Sequence, residues 1–397
     1  MFLASLKMDN HISFIDEVNP LQGKHILLRV GFDVSLSDLD NEQISWRIRQ
    51  GIETIEFLLT KGAKVLLLNH IDRPRGVIVP EFSNVRVAKI VSKILKQEIP
   101  CLPTEEGISP WNLGHNLLML ENLRFSPEEE ANDEKFARRL ANLGEIYVND
   151  AFSNCHRAHA SMVGIPKFLP SYGGLLLKKE LAGLEEARLH EAKPLVLVMG
   201  GLKIETKLPA IKYFWDKSQV IILGGALANA FLQCQGIAIG KSIIPPEEAE
   251  ILKSFPLTAG KIYLPIDVRT SKDKTGSTRI MIRPVGNIKE DEIILDIGPD
   301  SEILFDNIIR YAKIVVWNGP IGMFEEPLFA NGTIALARSL QESNAKVFIG
   351  GGQTIEFLQK NHLAKETFFL STGGGAMLSY IAGEELPGIK ALVKIKG

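Results

Sequence analysis

A chain of 397 residues is longer than a single hydrophobic core usually sustains, so two domains of ordinary size are the first expectation. Its 45% apolar and 23% charged residues describe a globular protein rather than a disordered one, and a formal net charge of -2 removes any global argument for nucleic-acid binding. Three widely spaced cysteines with no CxxC pair point to neither a disulfide framework nor a zinc cluster and favour a reducing compartment. The opening MFLASLKMDN reaches charged residues too soon for a secretory leader, so a cytoplasmic location is expected.

In chain order, strands are expected at HILLRV (25–30), KVLLLNH (64–70), LLMLENL (117–123) and EIYVND (145–150). Between them, IRQGIETIEFLL (48–59) repeats Ile48, Ile52, Ile55 and Leu59 at helical intervals, and NVRVAKIVSKILK (84–96) does the same with Val87, Ile90, Val91 and Ile94. LLLKKELAGLEEARLHE (175–191) reads as a charged connecting helix, with an ordinary surface helix inside one large domain equally open. A second series of strands follows: PLVLVMGG (194–201), QVIILGG (219–225), KIYLPIDV (261–268), KIVVWNG (313–319), AKVFIGG (345–351) and TFFLSTGGG (367–375). Short apolar runs alternating with amphipathic helices are the pattern of an α/β fold with mainly parallel sheets. VIILGGALANAFLQCQGIAIG (220–240) carries no charge and is long enough to cross a bilayer, but its glycine pair and the polar Asn229, Gln233 and Gln235 make it a buried strand, turn and helix. Its end, GIAIGKS, is one residue short of a P-loop and has no strand feeding that loop.

Ligands of open parallel sheets sit beyond the carboxyl ends of the strands, and there the two halves differ. The first half follows its strands with basic groups: His70, Arg73 and Arg75; Arg124; then His156, Arg157 and His159, with Arg47 and Arg49 opening the first helix. Guanidinium forks from separate units would converge on phosphate or carboxylate oxygens. His156 and His159 as metal ligands have no acidic or sulfur partner at ligand spacing beyond Cys155, whose side chain would point elsewhere, so anion contacts are preferred. The second half follows its strands with glycines, in GGLKIETK (200–207), LGGALANAF (223–231), NGPIGMFEE (318–326), GGGQT (350–354) and STGGGAM (371–377). Glycines let phosphates approach the main chain at helix N-termini, and Lys203 and Lys207, four apart at a helix start, would reach a transferring phosphoryl group.

The motifs LENLRF, VNDAFSNCHRAHAS, GGLKIETK, LDIGPD, VVWNGPIGMFE, GGGQT, STGGGAML and ELPGIKAL, in this order and across nearly the whole chain, resemble the phosphoglycerate kinase family. The resemblance implies two Rossmann-like domains: residues 1–174 with the returning tail 380–397 for phosphoglycerate, a connecting helix at 175–191, and 192–379 for nucleotide. It implies reversible phosphoryl transfer between 1,3-bisphosphoglycerate and ADP, direct and after hinge closure, by a monomer using Mg²⁺ with ADP or ATP. Gly31, Asp33, Arg47, His70, Arg73, Arg124, His156 and Arg157 would form the phosphoglycerate site. Lys203, Lys207, Gly225, Gly298, Gly319, Ile321, Glu325, Gly351, Gly352, Gln353 and Thr354 would form the nucleotide site, with Arg47, Lys203, Lys207, Gly351 and Gly374 at the reaction centre.

Several positions depart from the family pattern. RVGFDV places Gly31 where the pattern has Asp and Asp33 where it has Asn, removing a hydroxyl acceptor and adding a charge that repels an anionic ligand. Asp72 replaces a glycine, Thr206 replaces an Asp of many members, and Gln353 replaces the magnesium-binding aspartate with an uncharged amide. These changes keep open a catalytically weakened relative that acts by binding or regulation, and a different two-domain small-molecule kinase.

Overall fold

The structure, a computed structural model, describes residues 12–40, 44–104, 110–201, 204–242, 244–253, 255 and 259–393. The chain folds into two compact units, Met1–Ala182 with Glu385–Gly397, and Gly183–Glu384. The division falls inside the helix Leu175–Leu189. The tail joins the first unit from Glu385, later than the 380 expected from sequence.

In the first unit six strands, β1 (His25–Val30), β2 (Lys64–Leu68), β3 (Cys101–Leu102), β4 (Leu117–Leu120), β5 (Ile146–Asp150) and β6 (Ser171–Gly173), form one sheet in the order β3-β4-β2-β1-β5-β6. Every pairing is parallel. The strands are near-continuous apolar runs, as a sheet buried on both faces requires, and β4 and β5 are buried at every position. Helix Trp46–Thr60 begins where Ser45 accepts the Ile48 N–H at 3.4 Å, and it buries Ile48, Ile52, Ile55 and Leu58 in the core. Each such side chain contributes about 1.5–3 kcal/mol on burial. Helix Asn84–Leu95 is capped by Ser83 and ends at Lys96 in the left-handed region. The tail is held by Gly388, whose N–H donates to the Cys155 carbonyl at 2.9 Å and whose missing Cβ would stand 3.0 Å from Cys155 Cα.

In the second unit β7 (Leu195–Met199), β8 (Val220–Leu223), β9 (Ile262–Tyr263), β13 (Ile314–Asn318), β14 (Lys346–Gly350) and β15 (Phe369–Ser371) form a second parallel sheet in the order β15-β14-β13-β7-β8-β9. A separate antiparallel sheet, β11-β10-β12, is made of β10 (Asp267–Ser271), β11 (Met281–Pro284) and β12 (Ile293–Ile297). Here one expectation is corrected: KIYLPIDV is two strands in two sheets. Pro265, which has no N–H to donate, separates them. The uncharged run 220–240 is strand β8 followed by helix Gly225–Cys234, and among the described residues no helix is long and apolar enough to cross a membrane. Gly240, in the near P-loop, is fixed by packing, since a Cβ there would lie 2.2 Å from the Glu292 carbonyl oxygen.

Candidate active site

In the first unit the loops after β1, β2, β4 and β5 bring one set of side chains together around Asp33. Its Oδ1 accepts the Asp72 N–H at 3.0 Å, its carbonyl accepts Arg47 Nη1 at 2.7 Å, and its Oδ2 lies 4.0 Å from His70 Nε2. Asp72 sits at φ 51, a left-handed conformation that glycine takes freely and Asp tolerates better than most residues. Its own Oδ1 accepts the Arg73 N–H at 2.8 Å, and Arg124 Nη1 donates to its carbonyl at 2.6 Å. Arg124 also pairs with Glu130 at 3.1 Å.

Desolvation first, and neighbouring guanidiniums including that of Arg73 after it, lower Arg124, Arg157 and His156. The same surroundings keep the histidines neutral at pH 7. His70 is fully buried, and desolvation, then Arg29, Arg124, Arg157 and His159, hold it well below its ordinary value. Desolvation followed by Arg157 lowers His156 to about 4 although the residue as a whole is exposed, and desolvation with Arg124, Arg29 and Arg157 lowers His159 to about 3. Among the described residues His70 Nε2, Asn154 Nδ2 and Arg157 Nη1 are buried without a hydrogen-bond partner. Buried donors without acceptors cost about 1–3 kcal/mol each, a cost that an anion placed among them would remove. Arg49 and Arg75 are exposed, the latter in a left-handed turn, and stand apart from these contacts. A Cβ on Gly31 would meet Ser153 Oγ at 2.7 Å, so this position is closed by its neighbour.

Sequence reasoning about individual side chains missed the layer beneath. Arg29, on β1, is fully buried; Nε donates to Ser161 Oγ at 2.9 Å, Nη1 to the carbonyls of Val30 and Leu68, and Nη2 to His70 Nδ1 at 2.5 Å. Ser161 in turn gives its N–H and hydroxyl to the buried Glu129 carboxylate at 2.9 and 2.5 Å. The available signal was a lone cation inside an apolar strand, which can be buried only with partners.

In the second unit the loops after β7, β8, β13, β14 and β15 converge main chain against main chain. A Cβ on Gly200 would lie 2.0 Å from the Pro320 carbonyl oxygen, one on Gly319 2.3 Å from that of Gly200, one on Gly225 3.0 Å from Gly201 N, and one on Gly374 2.9 Å from Gly351 Cα. These glycines let the loops close on one another, a different requirement from the phosphate approach expected of them. Gly351, at φ 110, precedes helix Gly352–Lys360, whose first turn holds Gln353, exposed, and Thr354, buried. Gly375, in the first turn of helix Gly374–Ile381, is the corner with room: a Cβ there meets nothing within 4 Å among the described residues.

Lys203 lies outside the described residues. Lys207 is buried at the cap of helix Leu208–Phe214, so it precedes that helix, and its Nζ would lie 3.7 Å from a Cβ on Gly201. Glu325 is exposed. Ile321 is fully buried, packed on Gly224, where a Cβ would lie 2.7 Å from its Cδ1. That leaves its side chain shaping the loop, with no face open to a nucleotide in this conformation. Gly298 opens helix Pro299–Tyr311, but Asp267 already accepts the Asp300 and Ser301 N–H groups at 3.2 and 2.8 Å, so this helix start is satisfied internally. Among the described residues no group of three or more His, Cys, Asp and Glu side chains is placed to hold a metal ion. The neutral, exposed Gln353 amide therefore fits a Mg²⁺ ion carried mainly by nucleotide phosphates, not one caged by protein.

The family model described as phosphoglycerate kinase matches residues 15–384. Phosphoglycerate kinase of Chlorobium phaeobacteroides is 40% identical over 384 residues, covering 94% of this chain and 97% of the relative. The cytosolic phosphoglycerate kinase of Triticum aestivum is 40% identical over 385 residues, covering 94% and 96%. Among solved structures, phosphoglycerate kinase from Coxiella burnetii superimposes with a TM-score of 0.77 at 32% identity over 96% of this chain and 99% of that one. The enzyme from Pyrococcus horikoshii does so with a TM-score of 0.83 at 28% identity over 96% and 98%.

Proposed function

Since the chain belongs to the phosphoglycerate kinase family, we propose that it is a phosphotransferase that moves a phosphoryl group reversibly between 1,3-bisphosphoglycerate and ADP, giving 3-phosphoglycerate and ATP. The observation that carries this reading beyond family membership is the basic cluster of the first unit, with buried donors on His70, Asn154 and Arg157 that lack acceptors among the described residues. Arg73, Arg124 and Arg157 supply the charge that holds phosphate and carboxylate oxygens, and His70 supplies a neutral N–H.

In the direction of ATP synthesis, a β-phosphate oxygen of ADP attacks the acyl-phosphate phosphorus, the phosphorus–oxygen bond to the acyl group breaks, and the carboxylate of 3-phosphoglycerate leaves. Arg47, held by the Asp33 carbonyl, would stabilise charge on the transferring group, and Lys207 with Lys203 would follow it from the nucleotide side. Closure of the two lobes on their substrates would exclude water. Gly351, Gly352 and Thr354 with Gly374 would border the phosphates, and Gly225, Gly319 and Glu325 the adenosine. Mg²⁺ arriving with the nucleotide supplies charge neutralisation of the phosphate oxygens. We place the reaction in the cytoplasm and expect a monomer. A coupled assay with 3-phosphoglycerate and ATP tests the reading: turnover at a metabolic rate supports it, whereas calorimetric binding of either substrate without turnover would replace it with a binding role.

A further inference from the structure

The buried layer beneath the basic cluster fixes the position of hydrogens that a histidine alone leaves open. Glu129 accepts from Ser161, Ser161 Oγ accepts from Arg29 Nε, and Arg29 Nη2 lies 2.5 Å from His70 Nδ1. A guanidinium has five N–H donors and no acceptor, so the contact with His70 has one possible direction. Arg29 donates, His70 Nδ1 accepts, and the ring proton of the neutral imidazole stands on Nε2. That atom is buried, 4.0 Å from Asp33 Oδ2 and beyond hydrogen-bond reach of it, with no partner among the described residues.

We propose that Arg29 is a positioning residue that holds His70 in its Nε2–H tautomer, so that the site offers the substrate oxyanion a neutral, preoriented hydrogen-bond donor in place of an imidazolium. Arg29 does not touch the substrate; it acts through His70. The groups that face His70 agree with this. Burial comes first, and Arg29 on β1, Arg124 after β4, and Arg157 and His159 after β5 all oppose a positive charge on the ring, while the carboxylate of Asp33, after β1, stands 4.0 Å away. Burial pushes the Glu129 carboxyl up, and Arg29 and then the Ser161 hydrogen bonds draw it back down. A donor fixed in this way keeps its hydrogen-bonding capacity as pH changes, whereas an imidazolium would lose a charge through the neutral range. The inference deepens the proposed function and rests on it only for the identity of the oxyanion.

The test is long-range ¹H–¹⁵N spectroscopy of the full chain with ¹⁵N-labelled histidine, the His70 signals being assigned by their loss in His70→Gln. In the ligand-free protein, Nε2 of His70 should carry the proton and Nδ1 should not, without titration between roughly pH 5.5 and 8. Arg29→Lys, which keeps a side chain that can only donate, should preserve the tautomer. Arg29→Met should yield mixed tautomers or a titrating ring and raise KM for 3-phosphoglycerate roughly tenfold, the worth of one hydrogen bond, with kcat much less affected. An Nδ1–H tautomer, or a His70 titrating near its ordinary value in the natural chain, overturns the inference, and neither result depends on whether Arg29→Met folds. Adding 3-phosphoglycerate separates the two claims. A fixed Nε2–H whose resonance fails to move on saturation would leave the tautomer assignment standing and count against the substrate reading.

Discussion

Asp33 places a negative charge among the cations that would hold phosphoglycerate, and Asp33→Asn measures what that charge costs. An oxyanion hydrogen-bonded to His70 Nε2, itself 4.0 Å from Asp33 Oδ2, would stand on the order of 6 Å from the Asp33 carboxylate. The Asp33 side chain is 33% exposed, so water screens the interaction and an effective dielectric constant of roughly 40 to 60 is appropriate. Coulomb's law then gives about 1–1.4 kcal/mol of repulsion, a factor of roughly five to ten in affinity. The substitution is nearly isosteric, and Asn Oδ1 can still accept the Asp72 N–H now held at 3.0 Å. Steady-state assays at low ionic strength should therefore show KM for 3-phosphoglycerate falling by that factor, with KM for ATP unchanged and the gain shrinking as salt is added. An unchanged KM would refute the placement of the charge beside the ligand. A raised KM would refute the sign of the argument and make Asp33 an acceptor for the substrate hydroxyl.

Four further outcomes follow from the same geometry. Gln353→Asp should lower the Mg²⁺ concentration needed for half-maximal rate several-fold at fixed nucleotide, because a hard cation prefers a charged oxygen; an identical metal titration in both proteins would show that this position does not limit activity. Gly319→Ala should cost several kcal/mol in urea unfolding, since it combines φ 86 with a Cβ 2.3 Å from the Gly200 oxygen, whereas Gly375→Ala should leave stability within about 1 kcal/mol and weaken nucleotide binding if that corner meets phosphate. Asp72→Gly should relieve the left-handed strain and remove a carboxylate next to Asp33; because the two residues touch, through a 3.0 Å backbone hydrogen bond that both substitutions retain, their effects on KM should be non-additive, and strict additivity in a double-mutant cycle would argue against the coupling. His156 and His159, depressed to about 4 and about 3, bind fewer protons folded than unfolded between those values and about 6.5, so their contribution is present above that window and is lost as pH falls through it. A bound anion raises both values, so calorimetry near pH 5 in buffers of different ionisation enthalpy should register proton uptake when 3-phosphoglycerate binds.

The parallel sheets were legible because fully buried strands must be apolar throughout: HILLRV coincides with β1 residue for residue, and β4 and β5 lie inside the runs read for them. The short edge strands β3 and β6 and the antiparallel β10-β11-β12 sheet were not legible, since two or three residues carry no period and β11 alternates between partly buried and exposed positions. Basic residues at strand ends could be read as a group because topology alone brings them to one edge. Their ionisation could not be read, because it depends first on how deeply each imidazole is buried and then on how many arginines crowd it.

The glycines show the same limit from the other side. Sequence places glycine at the end of most strands of the second unit, and phosphate approach and loop closure both require it. Only coordinates separate the two, through what a Cβ would strike: the Pro320 and Gly200 carbonyls for Gly200 and Gly319, and open space for Gly375. Loop closure is the more demanding condition, because a ligand can shift by a few tenths of an ångström and a packed main chain cannot. Glycines fixed by backbone contact therefore set the shape of this corner, and Gly375, which faces open space, is the position proposed to meet phosphate.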